Sequence, residues 1–121
     1  HGLGIPMPQG RVRVSQLDTA DGSLEFIGED TIDHHPVVKL FTPDGGATWL
    51  LSETDPEDPD IAFGLCDLGL GYPELGSVRL SVLKAHRGRL GLPIERDLHF
   101  KANAPLSIYA ERAREAGGIV T

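Results

Sequence analysis

Val37-Val38-Lys39-Leu40-Phe41, Pro43-Asp44-Gly45-Gly46 and Thr48-Trp49-Leu50-Leu51 follow one another almost without a break, and their reading decides the fold. Two apolar segments rich in β-branched and aromatic residues flank a Pro-Asp-Gly-Gly turn, which predicts a β-hairpin. Gly45 and Gly46 are expected to supply the positive φ of a tight turn. Downstream, Ile61-Ala62-Phe63-Gly64-Leu65-Cys66 is a short apolar run after a proline-punctuated acidic stretch, and it reads as a buried strand. Residues 77–80 are expected to pair beside it.

Helical signals come later. Ser81 is expected to cap a short helix that ends before Gly88, with Leu83 turned inward. The last helix is the clearest element. Pro105 sets its first turn, and Leu106, Tyr109, Ala110 and Ala113 recur on one face, while Glu111, Arg112, Arg114 and Glu115 occupy the other. Gly117 is expected to cap its end. In the first third, residues 11–17 alternate polar and apolar, Leu24-Glu25-Phe26-Ile27 is apolar again, and Asp21-Gly22 lies between, predicting a further hairpin. The pattern is α+β: an antiparallel sheet of hairpins, with two helices in the C-terminal half covering one side of it. One domain is expected over residues 1–121, comprising a hairpin extension at 1–35 and a core at 36–121.

Composition narrows the function classes. A chain of 121 residues has room for one core, and 40% hydrophobic with 24% charged residues places it among globular proteins. The aromatic share is 6%, so the core must be aliphatic. No apolar run reaches the roughly 20 residues of a membrane-spanning helix. The single Cys66 cannot form an internal disulfide, which favours a reducing, cytoplasmic setting. A chain that opens on His1 is expected to have lost its native beginning or a tag. The net charge of −7 opposes approach to a polyanion, so nucleic acid is not the expected partner, although Arg79, Lys84, His86, Arg87 and Arg89 could gather into a local basic face.

Several groups could carry chemistry. Asp33-His34-His35 resembles a metal-holding triplet of phosphoesterases, but neighbouring side chains on a strand point to opposite faces, and the triplet reads as a turn before a strand. Glu53, Asp55, Glu57, Asp58 and Asp60 form an acidic run with no adjacent base. Pro56 and Pro59 make it a stiff surface turn, and its acids, with Tyr72, are the expected partner-binding surface. Cys66 sits in an apolar strand and reads as a small hydrophobe rather than a nucleophile. Gly69, Gly71 and Gly76 lack the spacing of a phosphate loop and are expected to let a turn pass close to the sheet. Asp67, Glu95, Asp97 and His99 are the set that could hold a divalent ion for phosphodiester cleavage, since Glu95 and Asp97 would share a strand face; Glu74 is a further acid nearby. No cofactor and no structural metal is expected.

The segments Phe63-Gly64-Leu65-Cys66-Asp67-Leu68-Gly69, Pro73-Glu74-Leu75-Gly76 and Ile94-Glu95-Arg96-Asp97-Leu98-His99-Phe100 resemble the signature of a bacterial family, domain of unknown function 2958, over residues 36–121. The resemblance implies carriage on plasmids and integrating elements and assigns no reaction. Gly4-Ile5-Pro6-Met7-Pro8, Gly10-Arg11-Val12-Arg13-Val14 and residues 21–34 are similar to the tail of domain of unknown function 4139, a mostly β module. The two meet near His34-His35-Pro36, which implies a fusion, natural or artificial. The expected function is a small, acidic, non-enzymatic protein-interaction module, an accessory or inhibitory, neutralising factor of a mobile element. The alternative is a metal-dependent nuclease acting through Asp67, Glu95, Asp97 and His99.

Overall fold

The computed structural model describes residues 34–121. The hairpin expected at 11–28, the extension at 1–35 that contains it, and Asp33 of the Asp-His-His triplet lie outside or largely outside these residues. The elements are β1 (Val38–Phe41), β2 (Thr48–Asp55), β3 (Asp58–Asp67), β4 (Glu74–Arg79), α1 (Leu80–Ala85), β5 (Glu95–Arg96) and α2 (Leu106–Ala116). The strands form one antiparallel sheet in the order β4-β3-β2-β1-β5, so the fold is α+β as the sequence implies.

Register sorts the side chains. Leu40 faces Trp49 and Val38 faces Leu51, so these four share one face, which α1 covers with Leu80 and Leu83 while Ile94 closes the cluster. Leu50 and Leu65 face each other on the opposite side, where α2 lays Leu106, Tyr109, Ala110 and Ala113. The helices therefore cover opposite faces, correcting the expectation that both lie on one. The cause is the uninterrupted apolar triplet Trp49-Leu50-Leu51, which must be buried on both faces because successive side chains alternate. The helical face of α2 is as the sequence predicts, and Gly117 ends it in the left-handed conformation at φ 79°.

Three local readings change. The β1–β2 connection does not use positive φ at Gly45 or Gly46, since among the described residues that conformation occurs at Gly69, Gly71, Gly91 and Gly117. Thr42 closes the loop instead: its amide donates to the Ala47 carbonyl (3.1 Å), and its Oγ1 accepts from the Ala47 amide (3.0 Å). Ser81 does not cap α1. It lies inside the helix, and Asp60 from β3 accepts both its amide (2.9 Å) and its hydroxyl (2.7 Å). The acidic stretch is a surface turn as read but a tighter one: only Pro56 and Glu57 lie outside the strands, Asp55 pairs with Asp58, and Pro59 belongs to β3.

At Gly64 the β2 backbone comes so close that a Cβ would overlap the Leu50 carbonyl, so a side chain there would force the central strands apart. The register shifts just beyond, between Leu51 and Glu53, leaving Ser52 as the extra residue of a bulge.

Candidate functional site

The bulge determines what happens to the acidic run. It moves Glu53 to the face carrying Phe63, where its side chain is buried, with Oε1 accepting from Ser52 Oγ (2.8 Å) and Oε2 lying 4.0 Å from His34 Nε2. Glu53 therefore cannot touch a partner. Asp55 Oδ1 accepts from the Glu57 amide (2.8 Å), and Asp58 Oδ1 from the Asp60 amide (3.1 Å), so both acids close the hairpin they sit in. Arg79, 21 residues away in sequence, supplies the missing base: its guanidinium lies 3.3 Å from Asp58 and 3.6 Å from Asp60. The hydrogen bond from the Ser81 hydroxyl holds the Asp60 carboxyl below the usual aspartate range. Desolvation opposes this as the next-largest effect, and the bond from the Ser81 amide, then the hydrogen bond and charge of Arg79, reinforce it. Of the five acids expected at a partner surface, Glu57 alone makes no side-chain bond among the described residues.

The nuclease set is dispersed. Asp67 pairs with Thr48, Thr48 with Phe41, and Phe41 with Glu95, so Asp67 and Glu95 stand three strand spacings apart, about 14 Å. Oxygens sharing a divalent ion lie within about 5 Å of one another, given bonds of about 2.0–2.6 Å. Asp67 is also committed: buried at the end of β3, it accepts the Gly69 amide through Oδ1 (2.8 Å) and the Ile119 amide through Oδ2 (2.9 Å), fastening the chain beyond α2 to the sheet. Asp97 forms an ion pair with Lys39 (3.8 Å) and accepts the His99 amide (2.9 Å). Among the described residues no three His, Cys, Asp or Glu side chains gather as metal ligands. Cys66 is partly buried against the α1-side cluster, and burial, then the nearby Glu74 charge, pushes its thiol up to about 11.

A different surface emerges on the α1 face. A groove of about 550 Å³ opens between α1 and the sheet, walled chiefly by Trp49, Leu68, Val78, Val82, Leu83 and Ile94. Its lips are apolar and exposed, with Leu68 at 60% and Val82 at 62% of full exposure. Leu68 begins the β3–β4 connection, which also presents Leu70 at 71% and Tyr72 at 79% exposure. This loop reads Leu-Gly-Leu-Gly-Tyr, and Gly69 and Gly71 both have positive φ. A Cβ on Gly69 would stand 3.0 Å from the Gly46 carbonyl oxygen, so glycine here lets the loop pass against the β1–β2 turn.

Asp44, in the β1–β2 turn, holds the loop that leads to Ile94 of the groove wall. Its Oδ2 accepts the amides of Leu90 (2.8 Å) and Leu92 (3.4 Å), and Gly88 leaves the space this carboxylate fills. The loop before β5 is thereby fixed so that Ile94 reaches the core. Tyr72 was visible in the sequence as a contact residue; Leu68, Leu70 and Val82 were not, because their exposure depends on long-range pairing. The alternation of apolar residues with glycine at 68–72 was the available signal.

Residues 5–120 match the family described as protein of unknown function (DUF2958). The match crosses the 35/36 position at which a fusion junction was expected. No curated protein and no solved structure matches the chain. No helix among the described residues is long and apolar enough to cross a membrane.

Proposed function

The chain belongs to the DUF2958 family, and from that premise we propose that it is a protein-binding module without catalytic activity, an accessory or neutralising factor of a mobile element acting in the cytoplasm. The observation that carries this reading is the exposure of Leu68, Leu70 and Tyr72 in one five-residue stretch beside an open apolar groove. Single exposed apolar residues are ordinary, but a cluster adjoining a groove is the usual form of a binding surface. Tyrosine is also among the residues enriched where binding energy concentrates. The mobile-element setting rests on the family resemblance alone. The partner surface of this proposal is the 68–72 loop, where Tyr72 is the most exposed of the large apolar side chains, rather than the acidic hairpin whose carboxylates are largely engaged.

A photo-crosslinking amino acid at Tyr72, compared with one at Glu111 on the exposed side of α2, tests the proposal in cells that carry the native gene. A discrete protein adduct from position 72 and none from 111 is the expected result. Absence of any adduct at 72, or equal labelling at 111, would remove the protein-binding reading.

A further inference from the structure

We infer that two copies of this chain pair through the α1 face, with their α1 helices antiparallel across a two-fold axis near Val82. This goes beyond the protein-binding reading, since the occupant of the groove is here a second copy of the chain.

The α1 face carries opposite charge at its two ends. At the start of α1, Asp60 receives the Ser81 amide and hydroxyl, which brings the β2–β3 turn beside the helix. Asp55, Glu57, Asp58 and Asp60 gather there against Arg79, whose guanidinium is already shared between Asp58 and Asp60. That end is acidic. Past the last turn of α1, Lys84, Arg87 and Arg89 are all exposed, and the bond from the Leu90 amide to Asp44 holds this segment at the β1–β2 turn. The acids of this end are Glu74, which register places on the face of Val78, and Asp44, whose Oδ2 receives the Leu90 and Leu92 amides. Glu95 pairs with Phe41 and falls on the opposite face. The three cations outnumber the two acids, and that end is basic.

Between the ends the surface is apolar. Val82 stands at 62% of full exposure on the lip of the groove, and Val78 lies within it. In a two-fold contact the same patch serves both copies. Val82 of each copy can therefore enter the groove of the other, because lip and groove share one face. Charge chooses the orientation. Antiparallel helices set each acidic end on the partner's basic end, twice over, whereas parallel helices would set acid on acid.

The net charge of −7 on each copy opposes their approach. Salt screens this repulsion beyond a Debye length of about 8 Å at physiological ionic strength, while the paired ends meet at contact distance and keep more of their attraction. A uniformly acidic or uniformly basic partner would match one end and clash with the other. A second copy offers both signs in the order required.

Sedimentation equilibrium of the full chain, at physiological salt and up to about 0.5 mM, tests the pairing through a charge swap at constant net charge. Lys84→Glu with Glu111→Lys makes the basic end acidic, and Glu57→Lys with Arg114→Glu makes the acidic tip basic. The changes on α2 hold the total at −7 and lie on the far face, and all four side chains are exposed. Circular dichroism verifies that each variant folds. The parent is expected to show a monomer–dimer equilibrium, and each double variant alone to dimerise about tenfold more weakly. Mixed in equal amounts, the two are expected to pair within about threefold of the parent, because each altered end then meets its complement. Glu111→Lys with Arg114→Glu alone should associate as the parent does, and Val82→Asn should weaken the dimer about tenfold. A monomeric parent, parent-like association of either charge variant, a mixture no tighter than its components, or indifference to Val82→Asn would each overturn the inference. An adduct at position 72 with a protein other than a second copy leaves the protein-binding reading standing whichever way these measurements fall.

Discussion

Replacing Asp67 measures whether a residue with the look of a catalytic acid is a structural clamp. Its two oxygens receive the Gly69 and Ile119 amides at 2.8 and 2.9 Å, and its side chain is buried. Hydrogen bonds to a charged acceptor contribute about 1.5–3 kcal/mol each. Asp67→Ala removes both, and because the two amides are only partly buried, water recovers part of the loss. The expected destabilisation is about 2–4 kcal/mol, a large share of a total near 5–15 kcal/mol. Asp67→Asn keeps one acceptor and turns an NH₂ toward the other amide, so about 1–2 kcal/mol is expected. Trp49 is the only tryptophan and is buried, so its fluorescence reports urea unfolding. With an m value of about 2 kcal/mol per molar, the midpoint falls by about 1–2 M for Ala and by roughly half that for Asn, at unchanged m. A parent-like midpoint for Asp67→Asn, or greater damage from Asn than from Ala, would refute the clamp. A parent midpoint raised by Mg²⁺ but not in Asp67→Asn would restore the metal-ligand reading.

Leu106→Ala is expected to cost about 2–5 kcal/mol in the same assay, since this buried side chain begins the inward face of α2; a loss below about 1 kcal/mol would show that the helix is not fastened there. The Asp60 carboxyl is held below its usual range in the folded state, so its contribution is present above the unfolded aspartate value and is lost as pH falls through the folded one. Acid titration of the parent should thus show a loss of stability below the usual aspartate range that Asp60→Asn lacks, and superimposable profiles would contradict the role given to the Asp60–Ser81 bonds. Cys66, with its thiol pushed up to about 11, should react with iodoacetamide at neutral pH slower than a free thiol by about two orders of magnitude, reaching the free rate in urea; fast labelling of the folded chain would overturn its placement.

What was legible in the sequence is what local periodicity encodes. The β1–β2 hairpin, the apolar run of β3 and the inward face of α2 each repeat within a few residues, and each forms as read. Trp49-Leu50-Leu51 already carried the sign of a strand buried on both sides, which places α1 and α2 on opposite faces. The site was less legible because its determinants are remote. Asp60 meets Ser81 across 21 residues, Asp44 meets Leu90 across 46, and Asp67 meets Ile119 across 52. No spacing rule links such pairs, so acids that look free in sequence prove to be engaged in structure. The bulge at Ser52 is a second cause, since one added residue exchanges the faces of the side chains beyond it.

The strand order β4-β3-β2-β1 also has a kinetic meaning, because each of these strands hydrogen-bonds to its immediate neighbour in sequence. Closing a loop costs entropy that grows with its length, so the β2–β3 turn, where Asp55 already faces Asp58, is the least expensive place to begin. Successive short closures add β1 and β4, giving this sheet a lower contact order than one wired through crossovers, and a correspondingly faster route to assembly. The 52-residue closure between Asp67 and Ile119 falls at the end of that sequence. Weakening it therefore speeds unfolding far more than it slows folding, and the clamp acts as a latch on the native lifetime of the sheet rather than as a guide to its formation.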